Sequence, residues 1–448
     1  MMKQNMTYRS GDYSQKVYPP DIDKYIADYD AAGRLTLFTN FNGTKATYGY
    51  DNANRLMAIN NQKGDSSVIA GYTFTLDGDG NRTNTVQTEP YTAAIDQGTV
   101  TYGYNTQGNR LTTVAGVSDT YDNEGQLLTS NGGANSYTFD YEHRLKTIAG
   151  GSTATFYYDG SGNRLKAVRS GTETRYIYDA AGRLLAEADS ANNITRYYIY
   201  GNGLLAMVTP AGQTYCYHYN GVGSTIAMTN SSQNIINQYS YDAFGNIANQ
   251  QENILSSDTK LQNQPFKYVG QAGVMTEPNG FYYMRARYYD PAVGRFISED
   301  PTGFDGGDVN LMAYVGNNPV TGIDPLGLCP DSSIGKFLTL DNAISSASIL
   351  YSYATVYKEI TTPAGAALWG ADVLINKTSI LISGAPDSNT KSGIETTLEL
   401  TGLGVSYALS SYFGVGAGTA KLSWEAGSYL QKNYINGYWG NAVYDLFH

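Results

Sequence analysis

Tyr178-Asp179-Ala180-Ala181-Gly182-Arg183-Leu184 and, far upstream, Tyr29-Asp30-Ala31-Ala32-Gly33-Arg34-Leu35 are near-copies of one heptapeptide. Related copies begin at Tyr50, Tyr104, Tyr121, Phe139, Tyr158 and Tyr241, with degenerate ones at Tyr200 and Tyr219. From Tyr104 onward the copies start 17 to 22 residues apart, the period of a repeat architecture. Taken singly, Asp-x-x-Gly is ordinary hairpin chemistry. The Asp accepts backbone donors, and the Gly takes the positive φ that other residues resist. Aromatics at period two, as in Arg175-Tyr176-Ile177-Tyr178, suit strands with a packed face. Each unit therefore reads as strand, tight turn and returning strand, and it has too little core to stand alone. Neighbouring units must pair into a continuous sheet.

Composition agrees. The 448 residues include 41 Tyr and 50 Gly against 13 Phe and 3 Trp, which favours many short strands and turns. A net charge of −11 argues against a surface that coats nucleic acid. Cys216 and Cys329 stand far apart, so neither a disulfide framework nor a metal site is expected, and no cofactor is called for. The polar start, from Met1 to Arg9, lacks the apolar stretch of a classical signal peptide, so export would use another machine or a longer parent protein.

After the repeats come Arg287-Tyr288-Tyr289-Asp290-Pro291, Gly294-Arg295-Phe296, Ser298-Glu299-Asp300-Pro301, Asn317-Asn318-Pro319 and Asp324-Pro325-Leu326-Gly327-Leu328. Phe281 to Pro291 reads as one aromatic strand ended by a turn. The acidic residues before prolines admit two chemistries. They start turns, which the fixed φ of Pro favours; or two of them, held close, share a proton and activate water as aspartic proteases do.

In this order the motifs resemble the RHS repeat-associated core of YD-repeat proteins, found in polymorphic toxins, in C components of insecticidal toxin complexes and in teneurins. The resemblance is dense over residues 266–328, and the repeats extend it over most of the chain. It implies a mainly β fold, a YD-repeat sheet spiralling into a hollow shell over 1–265, closed by the core at 266–328 and followed by a variable, mainly α effector domain at 329–448. It also implies self-cleavage between Leu328 and Cys329, with Asp300 and Asp324 as the carboxylate pair and Asp290 and Arg295 in support. The partners it implies are the chain's own C-terminal domain as cargo, a cognate immunity protein, and delivery machinery or an upstream shell partner. Residues 1–265 are short for a complete shell of that family, so the expectation is either a fragment or a chain that an upstream partner closes.

In the tail no Arg follows Arg295, and His448 is its one histidine. The ligands of a His-metal nuclease and the cysteines of a zinc deaminase are missing. Glu395 and Glu399 read best as a solvated helix face. Leu400 to Ala420 carries no charge and reaches bilayer-spanning length, with small residues spaced for close helix contact, so membrane action by the tail is one expectation and a buried hairpin the other. Two other functions fit the same residues: an extracellular adhesion protein that stacks carbohydrate on exposed Tyr, and a silent displaced cassette.

Overall fold

A computed structural model describes residues 26–328 apart from 93–97, 107–108, 161, 180–181, 202 and 255–260. The expectations for Cys329, for the effector domain at 329–448 and for the Leu400–Ala420 segment lie outside the described residues. Everything described belongs to one compact unit, Met1–Tyr351.

The fold is antiparallel β throughout, in strict sequence order. Strands from Ile26–Tyr29 to Arg82–Thr88 make a six-stranded sheet, and strands from Tyr102–Tyr104 to Val117–Ser118 a three-stranded one. A fourteen-stranded sheet follows from Thr120–Tyr121 to Ile247–Gln251, each strand pairing with those before and after it. Four short strands from Met275–Thr276 to Arg295–Phe296 make the last sheet. The β-rich repeat architecture read from the sequence is what the chain forms.

One repeat explains the rest. In Asp179-Ala180-Ala181-Gly182-Arg183, Gly182 N–H donates to Asp179 O (3.0 Å) and Asp179 N–H to Arg183 O (2.9 Å). Gly182 has φ +75°, the left-handed value such a turn demands. The strand register slips by one residue at the repeat aromatic, between Ile177 and Tyr178 here and between Asp28 and Tyr29 in the first copy. The Asp side chain accepts from the backbone N–H four residues on, and from that residue's side chain: Arg34 Nε to Asp30 Oδ2 is 2.6 Å and Arg144 Nε to Asp140 Oδ2 is 2.7 Å. The same guanidinium reaches the next repeat, where Arg34 Nη1 donates to Asp51 O (2.9 Å), Arg55 Nη1 to Asp77 O (2.8 Å) and Arg144 Nη1 to Asp159 O (3.0 Å). The repeat tyrosine reaches back. Tyr158 OH donates to Leu145 O, Tyr219 OH to Leu204 O and Tyr241 OH to Thr225 O, each at 2.7 Å. Neighbouring repeats are thus stapled in both directions beyond their ladder bonds, each staple contributing about 1 kcal/mol.

The middle of the large sheet is buried on both faces, and all five residues of Leu184–Ala188 and of Thr225–Thr229 are buried. One face, with Tyr198, Leu204 and Met207, packs on Phe266, Met275, Tyr283 and Tyr288 of the closing segment. The other, with Ile199, Leu205 and Val208, packs on Leu35, Phe38 and Phe41 of the six-stranded sheet. Burial on both faces removes the need for alternation, so Gly203-Leu204-Leu205-Ala206-Met207-Val208 runs apolar. Polar contacts fix the junction: Asn42 Nδ2 donates to Thr229 Oγ1 (2.9 Å) and to Asn230 O (2.8 Å).

Arg164 departs from the repeat pattern. In Gly162-Asn163-Arg164-Leu165 it stands where other copies place their buried leucine, and it is 0% exposed whereas Leu165 is 46% exposed. Glu277 of the closing segment receives it, together with Arg169, whose Nε lies 2.7 Å from Glu277 Oε2. Tyr288 OH adds a bond of 3.1 Å to Arg164 Nη1. Burial alone would raise the Glu277 pKa, but the two arginines hold it below the usual carboxylate range. A buried ion pair thereby joins the closing segment to the repeat wall.

Candidate functional site

Phe281 to Pro291 is a hairpin rather than the single strand read from sequence. Strands Tyr282–Met284 and Arg287–Asp290 pair with Met284 opposite Arg287, and Arg285 turns the chain with φ +59°. The guanidinium of Arg285 is tied to Gly182 O and lies 5.8 Å from the Tyr178 ring centre. This turn brings Arg287 back inside, 4% exposed, with its guanidinium 3.6 Å from the Phe296 ring centre.

Every guanidinium nitrogen of Arg287 has a partner. Nε donates to Gly327 O (2.6 Å), Nη1 to Leu311 O (2.9 Å), and Nη2 lies 2.7 Å from Asp300 Oδ2 and 3.3 Å from Asp324 Oδ2. Asp300 and Asp324 therefore converge on one nitrogen, and their oxygens are no further apart than those two distances laid end to end. Both carboxylates are sequestered, with side chains 7% and 2% exposed. Asp300 N–H donates to Leu311 O (2.9 Å), while its Oδ1 accepts from Thr302 N–H (2.8 Å) and Thr302 Oγ1 (2.6 Å). Arg287, Asp300 and Asp324 line, with Asp308, Asn310 and Leu311, a pocket about the size of one water.

The segment ending at Leu328 lies against them. Ala286 N–H donates to Leu326 O (3.1 Å), and Leu328 N–H to Asp324 Oδ1 (3.1 Å). A Cβ placed on Gly306 would stand 2.7 Å from Asp300 Oδ2 and 3.1 Å from Leu328 O. The Leu328 carbonyl and the Asp300 carboxylate thus crowd one point, open only because residue 306 has no side chain. Gly327 is equally constrained: φ is +66°, and a Cβ there would meet Met284 O at 2.6 Å.

The structure brings together Asp300, Asp324 and Leu328 and leaves Asp290 and Arg295 apart from them. Asp290 pairs across strands with Arg295, and its Oδ1 accepts from Ala292 N–H (2.9 Å). Burial pushes its pKa up to about 6, against the pull of the Ala292 amide and with help from the negative charge of Asp119. Arg295 donates to Asn109 O and to Asn310 Oδ1 (3.1 Å), with the Tyr104 ring centre 5.3 Å away. It ties the repeat that begins at Tyr104 to the pocket wall through Asn310, and no ion pair joins it to either carboxylate of the pair. Sequence reading missed Arg287, although it opens the motif quoted for the family. An arginine inside an aromatic strand, which cannot be buried unpaired, was the available signal.

Comparison with known proteins places these features. The teneurin YD-shell profile matches residues 21–319. The tRNA nuclease WapA of Bacillus subtilis (strain 168) is 34% identical over 275 residues, 59% of this chain and 11% of that protein. The toxin protein Tse5 of Pseudomonas aeruginosa is 45% identical over 75 residues, 16% of this chain and 6% of that protein. The chain thus spans only a small share of either relative. Among solved structures, that of TcdB2-TccC3-Cdc42 superposes with a TM-score of 0.54 at 19% identity, over 72% of this chain and 20% of that one, a likeness of fold. The match spans the repeats, the closing sheet and Asp300, ending before Asp324 and Leu328, and the chain belongs to the teneurin YD-shell family.

Proposed function

We propose that this chain is the closing part of a toxin-bearing YD-repeat shell that cuts itself after Leu328 and so frees residues 329–448 as its cargo. The observation that carries this reading is the convergence of Asp300 and Asp324 on Arg287 Nη2 beside the Leu328 carbonyl. One carboxylate takes a proton from water as the water oxygen bonds to the Leu328 carbonyl carbon. The other, protonated, gives its proton to the Cys329 nitrogen as the C–N bond breaks. The products are a Leu328 carboxyl and a free Cys329 amine. Arg287 holds Gly327 O in place and balances charge between the carboxylates. Asp290 and Arg295 act at a distance, by fixing the sheet and the wall around the pocket. The family's toxin members favour a delivered effector, with an immunity protein protecting the producing cell and a delivery system or upstream shell segment completing the particle. The tail's proposed target is the membrane, through its uncharged segment from Leu400 to Ala420.

Mass spectrometry of the purified full chain under denaturing conditions tests the cut. Two pieces meeting at Leu328 and Cys329 are expected, and one intact piece from Asp324→Asn or Asp300→Asn. An uncut wild-type chain with a native β spectrum, or normal cutting by both variants, refutes the assignment.

A further inference from the structure

Thr302 stands outside the set of groups that contact the segment to be cut, yet it decides how one of them is aimed. Its hydroxyl and its backbone N–H both donate to the same oxygen, Asp300 Oδ1, at 2.6 and 2.8 Å. That leaves Oδ2 as the oxygen facing Arg287 at 2.7 Å, on the side of the Leu328 carbonyl. A carboxylate on a single Cα–Cβ–Cγ stem turns readily about its last torsion. Here Pro301 fixes the backbone between the two residues, and two short bonds from Thr302 select one face of that rotation. Thr302 itself is exposed, so its hydroxyl fills no gap in the core and its methyl group has little to pack against. Its bonding to Asp300 is what remains for a role.

We propose that Thr302 is the positioning residue of the self-cleavage site, holding Asp300 so that Oδ2 rather than Oδ1 meets Arg287 and the Leu328 peptide. The inference rests on the self-cleavage reading and adds to it the device that orients one carboxylate. Because the Thr302 N–H survives any side-chain replacement, loss of the hydroxyl slows the reaction without abolishing it.

The test follows cleavage of newly synthesised full-length chain in a cell-free translation system, sampled over time into denaturant. Thr302→Val keeps the shape and removes the hydroxyl, and it should slow cleavage about tenfold or more, the loss expected for one hydrogen bond to a charged acceptor. Thr302→Ser restores the hydroxyl on a smaller stem and should cleave within about threefold of wild type. A merely structural role for the methyl group gives the opposite ranking, Val near wild type and Ser impaired. That ranking, or equal rates for all three chains, overturns the proposal. Asp324→Asn runs alongside: if it is cut normally, the self-cleavage reading itself falls and this inference with it. If it stays intact while Thr302→Val keeps the wild-type rate, only the positioning role is lost. Thr302→Ala gives a second hydroxyl-free side chain and should match Val, and a wild-type rate for it would likewise overturn the proposal.

Discussion

Replacing Glu277 by Gln keeps the shape of the side chain and removes the charge that two arginines share. Arg164 and Glu277 side chains are 0% exposed, so the arginine left behind is charged, buried and short of its anion. Breaking such a pair from one side costs about 3–5 kcal/mol. The rings of Phe156, Tyr176 and Tyr283, centred 5.2, 4.9 and 4.4 Å from the Arg164 guanidinium carbon, retain part of the stabilisation. At about 1 kcal/mol from such contacts the net loss falls near the lower end, about 3 kcal/mol. For a unit of this size that is a fall in Tm of roughly 4–5 °C, read by far-UV circular dichroism. Arg169, with an 18% exposed side chain, can turn to water and adds less. The companion variant joins Arg164→Leu with Glu277→Leu, since leucine is what other repeats place at this position. It should recover to within about 1 kcal/mol of wild type, because an apolar pair needs no partner. A shift below about 2 °C for Glu277→Gln, or a double variant as unstable as the single one, would show that the cluster is not what joins closing segment to wall.

Arg287→Lys should stop cleavage even though charge is kept, because one ammonium cannot bond Gly327 O, Leu311 O and both carboxylates at once; fragment analysis by mass spectrometry reads the outcome. Gly306→Ala should slow cleavage by at least about tenfold while leaving the circular dichroism spectrum unchanged, since its methyl group would stand between Asp300 and the Leu328 carbonyl. Asp290, with its pKa raised to about 6 in the folded chain, binds its proton more tightly folded than unfolded. Stability should therefore decline as pH rises from about 4 to about 6, and urea midpoints of Asp290→Asn should lack that decline.

The turns were the most legible part of the sequence, because Asp-x-x-Gly-Arg states its own hydrogen bonds within five residues. Gly33 and Gly182 take the expected left-handed φ. Less legible was anything depending on distant packing. The six-stranded sheet lies on strands more than a hundred residues away, so the apolar run at Leu204 to Val208 gave no alternation to read. Arg164 gave no sign of burial, because in Gly-Asn-Arg-Leu the one extra residue after Gly162 puts the arginine where Gly-Arg-Leu copies put their leucine. At the site, the carboxylates came from motifs, whereas Arg287 needed the turn at Arg285 to show that it faces both. Asp290 and Arg295 lie near those carboxylates in sequence, but strand pairing joins them to each other and Arg295 reaches the repeat that begins at Tyr104.

Strict sequence order in the sheets also sets a timetable. A strand emerging from the ribosome finds its partner in the strand made just before it, so the repeats can assemble as they are synthesised, with small loops to close. The closing segment is different in kind. Glu277 must find Arg164 across 113 residues, and Arg287 must wait for Asp324, 37 residues later. Among the described residues these contacts join the latest-made segment to repeats made long before it, so they need a wall already standing. A site built from such contacts depends on the repeats behind it, so its geometry is complete only where that wall is in place.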